Sequence, residues 1–157
     1  MPEDNLQRMI SLAEEFFDVK NDPDQISVDE ETRTRLLAIH PNTMTEVRNE
    51  DGPIVWVLVI PTTIDVMEQF LAKSINEQLI LEMTSAGGRF DAIYLCSALV
   101  LPEHREKGMA KHAAVQAILE IQKQHAIKEL FAWTFSPEGE RLAVSIAREL
   151  GLPLRIR

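Results

Sequence analysis

An α/β fold is what this sequence predicts, and two observations carry the prediction. The first is the stretch from Phe90 through Pro102 and Gly108 to His112. An apolar, β-branched and aromatic run over residues 93–101 reads as a central strand. Pro102 ends it because proline has no N–H to offer the ladder. A short charged loop, 104–107, then passes through Gly108 into an Ala-rich helix. The second observation is the order around that stretch: a strand pair before it, and helix, strand, helix, strand after it. The 157 residues form one domain, 1–157, long enough for a core.

The elements follow in order. Leu6, Met9, Ile10, Ala13 and Phe17 recur at helical spacing, which predicts an amphipathic helix over 4–19. Asn21-Asp-Pro-Asp is a turn. Ser27-Val-Asp-Glu30 has the form of a capping box, opening a second helix that carries Leu36, Leu37 and Ile39 up to Pro41. Residues 43–48 alternate weakly, and Asn49-Glu-Asp-Gly52 is a turn. The run 54–60 then reads as a strand buried on both faces, so that the pair makes a β-hairpin.

Thr62 or Thr63 caps a short helix with Ile64, Met67 and Leu71 inward. Ser74-Ile-Asn-Glu77 is a second capping box, for a helix with Ile75, Leu79 and Met83 inward. Gly87-Gly88 closes this excursion before the central strand. After Gly108, a helix over 109–124 places Ala113, Ala114, Ala117 and Ile121 against the sheet. A strand over 127–135 has Phe131, Trp133 and Phe135 on one side. Ser136-Pro137 supplies an N-cap and an N1 proline for the last helix, with Leu142, Ala143, Ile146 and Leu150 inward and Gly151 as its stop. Residues 152–157 make a short final strand, and Pro153 suits a sheet edge.

Composition narrows the function. Hydrophobic residues are 45% and charged residues 26%, ordinary for a soluble globular protein. The formal charge of −9, with sixteen basic residues in no long patch, argues against nucleic acid. The same charge suits a cationic substrate, or simply keeps the protein soluble. The longest apolar run is strand-sized, so no membrane span is expected. The opening Met-Pro-Glu-Asp-Asn lacks the basic start and apolar core of a signal peptide, and a cytoplasmic location is the expectation. Cys96 is the one cysteine, which leaves no intramolecular disulfide and no cysteine-based metal site. His40, His112 and His125 have no spacing that suggests metal or nucleophilic chemistry, so no metal is expected.

The central stretch makes an anion site. The first amides of a helix have no partners inside it, and its dipole favours negative charge there. Gly108 has no side chain to hold a phosphate off the backbone. Arg105 and Lys107 add positive charge, Arg105 with a fork suited to phosphate oxygens. The run Val100-Leu-Pro-Glu-His-Arg-Glu-Lys-Gly-Met-Ala resembles the acyl-CoA-binding motif of the GNAT superfamily of N-acetyltransferases, usually written Gln/Arg-x-x-Gly-x-Gly/Ala. Arg105, Gly108 and Ala110 occupy its three defined positions.

The resemblance covers most of the chain from Thr43 onward. It implies a mixed central sheet with helices on both faces, here with a helical insertion before the central strand and a shortened C-terminal end. It implies acetyl-CoA as cosubstrate, held in a notch where two parallel central strands splay apart, and direct attack by a small-molecule or peptide amine. Pantetheine would pair with the backbone of Leu99, Val100 and Leu101. The pyrophosphate would rest on the amides of Arg105, Glu106, Lys107, Gly108, Met109 and Ala110, with His104 a further contact. The tyrosine that family members often carry in the last helix, four residues before its glycine, is Ala147 here, and the asparagine common near the start of that helix is Glu140.

Without that acid, the sequence leaves another proton donor, thiolate release to water, or a domain that binds CoA without catalysis. Tyr94, the one tyrosine, stands where acetyltransferases place a base or an ordered water, or else packs in the sheet. Ser136 falls beside the expected thioester sulfur and is also the N-cap. Cys96 is an acyl carrier or, more in keeping with a lone strand cysteine, a small buried hydrophobe. Met67, Phe70 and Met83 line an acceptor pocket or fill the core. A rival class is an α/β interaction domain outside that superfamily. For assembly, the single final strand suggests a homodimer in which C-terminal strands meet, against a monomer whose last strand runs parallel beside 127–135.

Overall fold

The computed structural model describes residues 4–20 and 30–157, of 16–20 the backbone only. These form an α/β fold of six α-helices and one open, mixed, five-stranded sheet. The strands lie in chain order. β1 (Met44–Asn49) and β2 (Gly52–Thr62) form the expected hairpin, and β2 runs antiparallel to β3 (Ala92–Val100). β3, β4 (Glu129–Ala132) and β5 (Leu154–Ile156) are parallel, joined by α5 (Met109–Gln122) and α6 (Pro137–Leu150). Parallel neighbours need such crossovers because their ends lie at opposite edges of the sheet. Among the described residues no helix is long and apolar enough to cross a membrane.

The N-terminal helices are rotated relative to the apolar pattern. In α1 (Asn5–Lys20) Met9 is fully buried, whereas Leu6 and Ile10 are exposed. Asn5 explains the rotation. Its side chain is buried and its amide donates to Asn49 Oδ1 at 3.1 Å, so the helix docks by a polar residue onto the hairpin turn. In α2 (Glu30–Ile39) the inward stripe is Thr32, Leu36 and Ile39, and Leu37 points outward. Arg35 donates to the carbonyls of Leu81 and Glu82, groups that a helix end leaves unpaired. The expected side-chain role of Phe17, the turn at 21–24 and the capping box beginning at Ser27 lie outside the described residues.

The excursion between β2 and β3 holds two helices, as expected, with a different cap in the second. Thr63 caps α3 (Ile64–Leu71) by accepting from Val66 N, and Val66, Met67 and Phe70 are buried. Thr62 instead turns inward and bonds Thr84 at 2.7 Å. Ser74 N is held by Gln69 O in the turn that follows α3. α4 (Glu77–Glu82) begins two residues later, capped by Asn76, and its inward set is Glu77, Ile80 and Leu81. Ile75 is buried ahead of the helix, Leu79 is half-buried, and Met83 is exposed rather than turned inward.

Beyond β3 the caps are those expected. Ser136 Oγ accepts from Gly139 N at 3.0 Å, Pro137 opens α6, and Gly151 ends it in the left-handed region. Ala143, Ile146 and Ala147 are its buried residues. β4 is shorter than its apolar run suggested. It stops at Ala132, leaving Trp133 half-buried and Phe135 exposed. β5 pairs in parallel with β4 through Leu130↔Leu154, Phe131↔Arg155 and Ala132↔Ile156.

Candidate functional site

The early end of β4 falls beside a bulge in β3. Leu58 pairs with Ser97 and Val59 with Leu95, so Cys96 has no counterpart in β2. A bulge bends its strand and sharpens the twist. The parallel pairing with β4 runs from Ala92↔Glu129 to Leu95↔Ala132 and stops there. β3 continues for five more residues, 96–100, of which 97–100 pair with β2 only. The parting of β3 from β4 beyond Leu95 therefore leaves an opening in the parallel ladder, bordered by this strip of β3 backbone. Leu99, Val100 and Leu101 lie at its far end, and Leu101 N still bonds Ile54 O.

The strip leads into a 3-10 turn, Pro102–His104, with His104 half-buried. Arg8 donates to Glu103 at 2.6 Å, tying α1 to the turn. That hydrogen bond brings the Glu103 carboxyl from its ordinary 4.5 down to about 2. Arg105 then folds back, and its Nε donates to Val100 O at 3.0 Å. The end of the strip and the start of the loop are thus one unit. The bond uses Nε alone, leaving the terminal nitrogens of Arg105 for an anion.

Arg105, Glu106, Lys107 and Gly108 are all exposed, and Met109 and Ala110 are half-buried. Glu106 and Gly108 both have positive φ, 64° and 73°. Gly108 is the N-cap of α5 and supplies no side-chain cap. There is also no acidic residue in the first turn of α5. α3, α4 and α6 contrast with it: each has a side-chain cap and an acidic first turn. A Cβ built at Gly108 meets no atom within 4 Å, so the glycine is required by its backbone angle rather than by crowding inside the protein.

Tyr94 sits at the other end of the opening, one residue before the last paired position. It is fully buried, with its ring against Phe70 and Phe131 at 5.2 and 5.0 Å between centres. Its hydroxyl donates to Glu77 Oε2, and Glu77 is fully buried too. Burial, reinforced by the charges of Cys96 and Glu77, pushes the Tyr94 hydroxyl well above 10.0, against the smaller opposing effect of Arg157. A phenol in that state keeps its proton near neutrality, which opposes service as a base and suits donation. Glu77 is the residue that the apolar pattern could not announce. Its signal was confined to the capping-box spelling, where it reads as a surface helix residue.

Ser136 is exposed, with its oxygen engaged by Gly139 N and its proton left to donate elsewhere. Cys96 is buried at the bulge. The structure therefore brings together the strip 96–101, the loop 105–108 and the start of α5. Tyr94 lies beneath the sheet surface rather than in the open. Comparison of the chain with protein families, with curated proteins and with solved structures found no match.

Proposed function

We propose that this chain is a GNAT-like N-acetyltransferase that moves the acetyl group of acetyl-CoA to a small-molecule or peptide amine. One observation carries the reading: a strip of β3 backbone without a parallel neighbour leads, through one turn and a short loop, to a helix N-terminus with no side-chain cap. Extended pantetheine, with amide groups along its length, suits such a strip. A pyrophosphate suits the amides from Arg105 to Ala110, because these donors and the helix dipole favour negative charge. Arg105 and Lys107 flank that position. The amine attacks the thioester carbonyl directly, its proton passes to a base, and the thiolate leaves with a proton or is released to water. Tyr94 is a proton-holding residue on this reading, and Ser136 the hydroxyl at the mouth of the opening.

Calorimetric titration with acetyl-CoA tests the reading. Binding by the wild-type chain, with a large loss of affinity in folded Gly108→Val, is the expected result. Absence of binding would leave an α/β interaction domain instead. A second reading has its own observation: Ala147, where the acid of the resemblance would stand, is a buried apolar residue. A domain that binds acetyl-CoA without turnover would fit that. Thiol release measured across an amine panel separates the two.

A further inference from the structure

The opening makes no use of a cation held between two aromatic rings. The guanidinium carbon of Arg157 lies 4.4 Å from the centre of the Phe70 ring and 4.6 Å from that of Trp133. The two rings meet edge to face, 6.1 Å apart at 72°, so they form the walls of a corner. Arg157 Nη1 donates to Ile75 O at 3.4 Å. Behind Phe70 stands Tyr94, whose hydroxyl bonds the buried Glu77 carboxylate. Aromatic faces attract cations through their quadrupole, and a planar guanidinium also stacks on them.

The corner is built without Arg157. Phe70 is fully buried and packed on Tyr94 and Phe131, and Trp133 packs on Phe135 at 4.6 Å. Ile75 comes from the link between α3 and α4. Three separate segments therefore hold the walls and the acceptor. Arg157, for its part, is placed by its backbone, whose N–H bonds Ala132 O at 3.0 Å one residue past the β5 ladder. Arg157 as a residue is half-buried, and Trp133 is half-buried too, so the corner lies near the surface.

We propose that the corner of Phe70, Trp133 and the Ile75 carbonyl is a binding site for the guanidinium group of a ligand, and that Arg157 is its occupant within the chain. Trp133 directly follows Ala132, where β4 parts from β3, so the site borders the opening. Only the further step, that the guanidinium belongs to an acyl acceptor, rests on the acetyltransferase reading. The site itself is tested without acetyl-CoA.

The experiment uses Trp56→Phe throughout, which leaves Trp133 as the single tryptophan, excited at the red edge where Tyr94 does not absorb. Arg157→Ala is titrated with ethylguanidinium, with ethylammonium, and with N-acetylarginine amide as a peptide-like source. The expected result is a saturable change in Trp133 emission with the two guanidinium probes, tighter than with ethylammonium. Its midpoint should be at least ten times lower than in the chain that retains Arg157. The tighter of the two guanidinium probes assigns a small-molecule or a peptide ligand. A folded Arg157→Ala that gives no saturable signal, or the same curve as the chain with Arg157, overturns the proposal. Should that variant not fold by circular dichroism, Arg157→Gln is read the same way, and failure of both to fold makes Arg157 a structural staple and overturns it too.

Discussion

Gly108 carries two demands that substitution can separate. Its φ of 73° is one that a Cβ resists, and the open space around it means that no neighbour adds to the cost. Gly108→Ala should therefore destabilise by about 1–2 kcal/mol, the cost of a left-handed L-residue, and Gly108→Asn by less. Thermal melts check both. On the acetyl-CoA reading each also lowers affinity, since a side chain now stands over the amides. Tyr94 gives a second residue-scale prediction. Tyr94→Phe keeps the ring contacts and removes the donor to Glu77, leaving that buried carboxylate one partner poorer. A loss of about 1–3 kcal/mol follows for a buried polar group that loses a hydrogen-bond partner. The raised folded pKa also sets a pH dependence. Stability from this group is complete below 10.0 and is lost as pH rises above it, because the unfolded chain gives up the proton first. Tyr94 is the single tyrosine, so tyrosinate absorbance should appear only with unfolding. A titration near 10.0 in the folded protein would contradict this.

At the scale of elements, legibility depended on whether the information was local. The β1–β2 turn, the Ser136-Pro137 start and the Gly151 stop of α6 all depend on residues adjacent in sequence, and all were readable. The rotation of α1 was not, because it is set by Asn5 reaching Asn49 across 44 positions. The early end of β4 was hidden for the same reason: it falls beside the bulge at Cys96, which lies in another strand. In the candidate site, the loop from Arg105 to Gly108 was visible as a motif. The Tyr94–Glu77 pair was not, since it joins β3 to an inserted helix. A pH-sensitive latch between elements is also visible only in the structure. Phe90 N donates to His125 Nδ1 at 3.3 Å, joining the start of β3 to the end of α5. Burial, then the nearby charge of His40, lowers the His125 pKa below 6.5. A depressed pKa means the contribution is present above 6.5 and lost as pH falls through the lower folded value. Protonated Nδ1 cannot accept, so the protection of the Phe90 amide, its exchange relative to an unstructured chain at the same pH, should fall on acidification. In His125→Phe that protection should be low and independent of pH over the same range.

The whole molecule poses the question of its open edge. Parallel pairing of β5 with β4 is the arrangement a lone chain needs, and it leaves the far side of β5 facing outward. Ile156 is exposed there, and Leu152 and Leu154 are half-buried beside Val144 and Ala147 of α6, around a shallow groove of about 510 Å³. An edge with unpaired backbone groups recruits another strand, and a two-fold partner would present the same strand in return. Two features limit the strength of such a contact. β5 has only three residues, and Arg155 is already drawn to Glu68 at 3.1 Å and Glu129 at 3.8 Å. Short, charged edges are how sheets discourage addition. The proposal of a homodimer through β5 thus becomes the prediction of a weak, reversible one. Sedimentation should show a monomer at low micromolar concentration and a dimer forming only as the concentration rises. Ile156→Lys, which adds charge to the apolar strip without touching the ladder to β4, should abolish the dimer and leave the melting temperature nearly unchanged. A chain that stays monomeric at every concentration would rule the β5 contact out, and a dimer that survives Ile156→Lys would place the contact elsewhere.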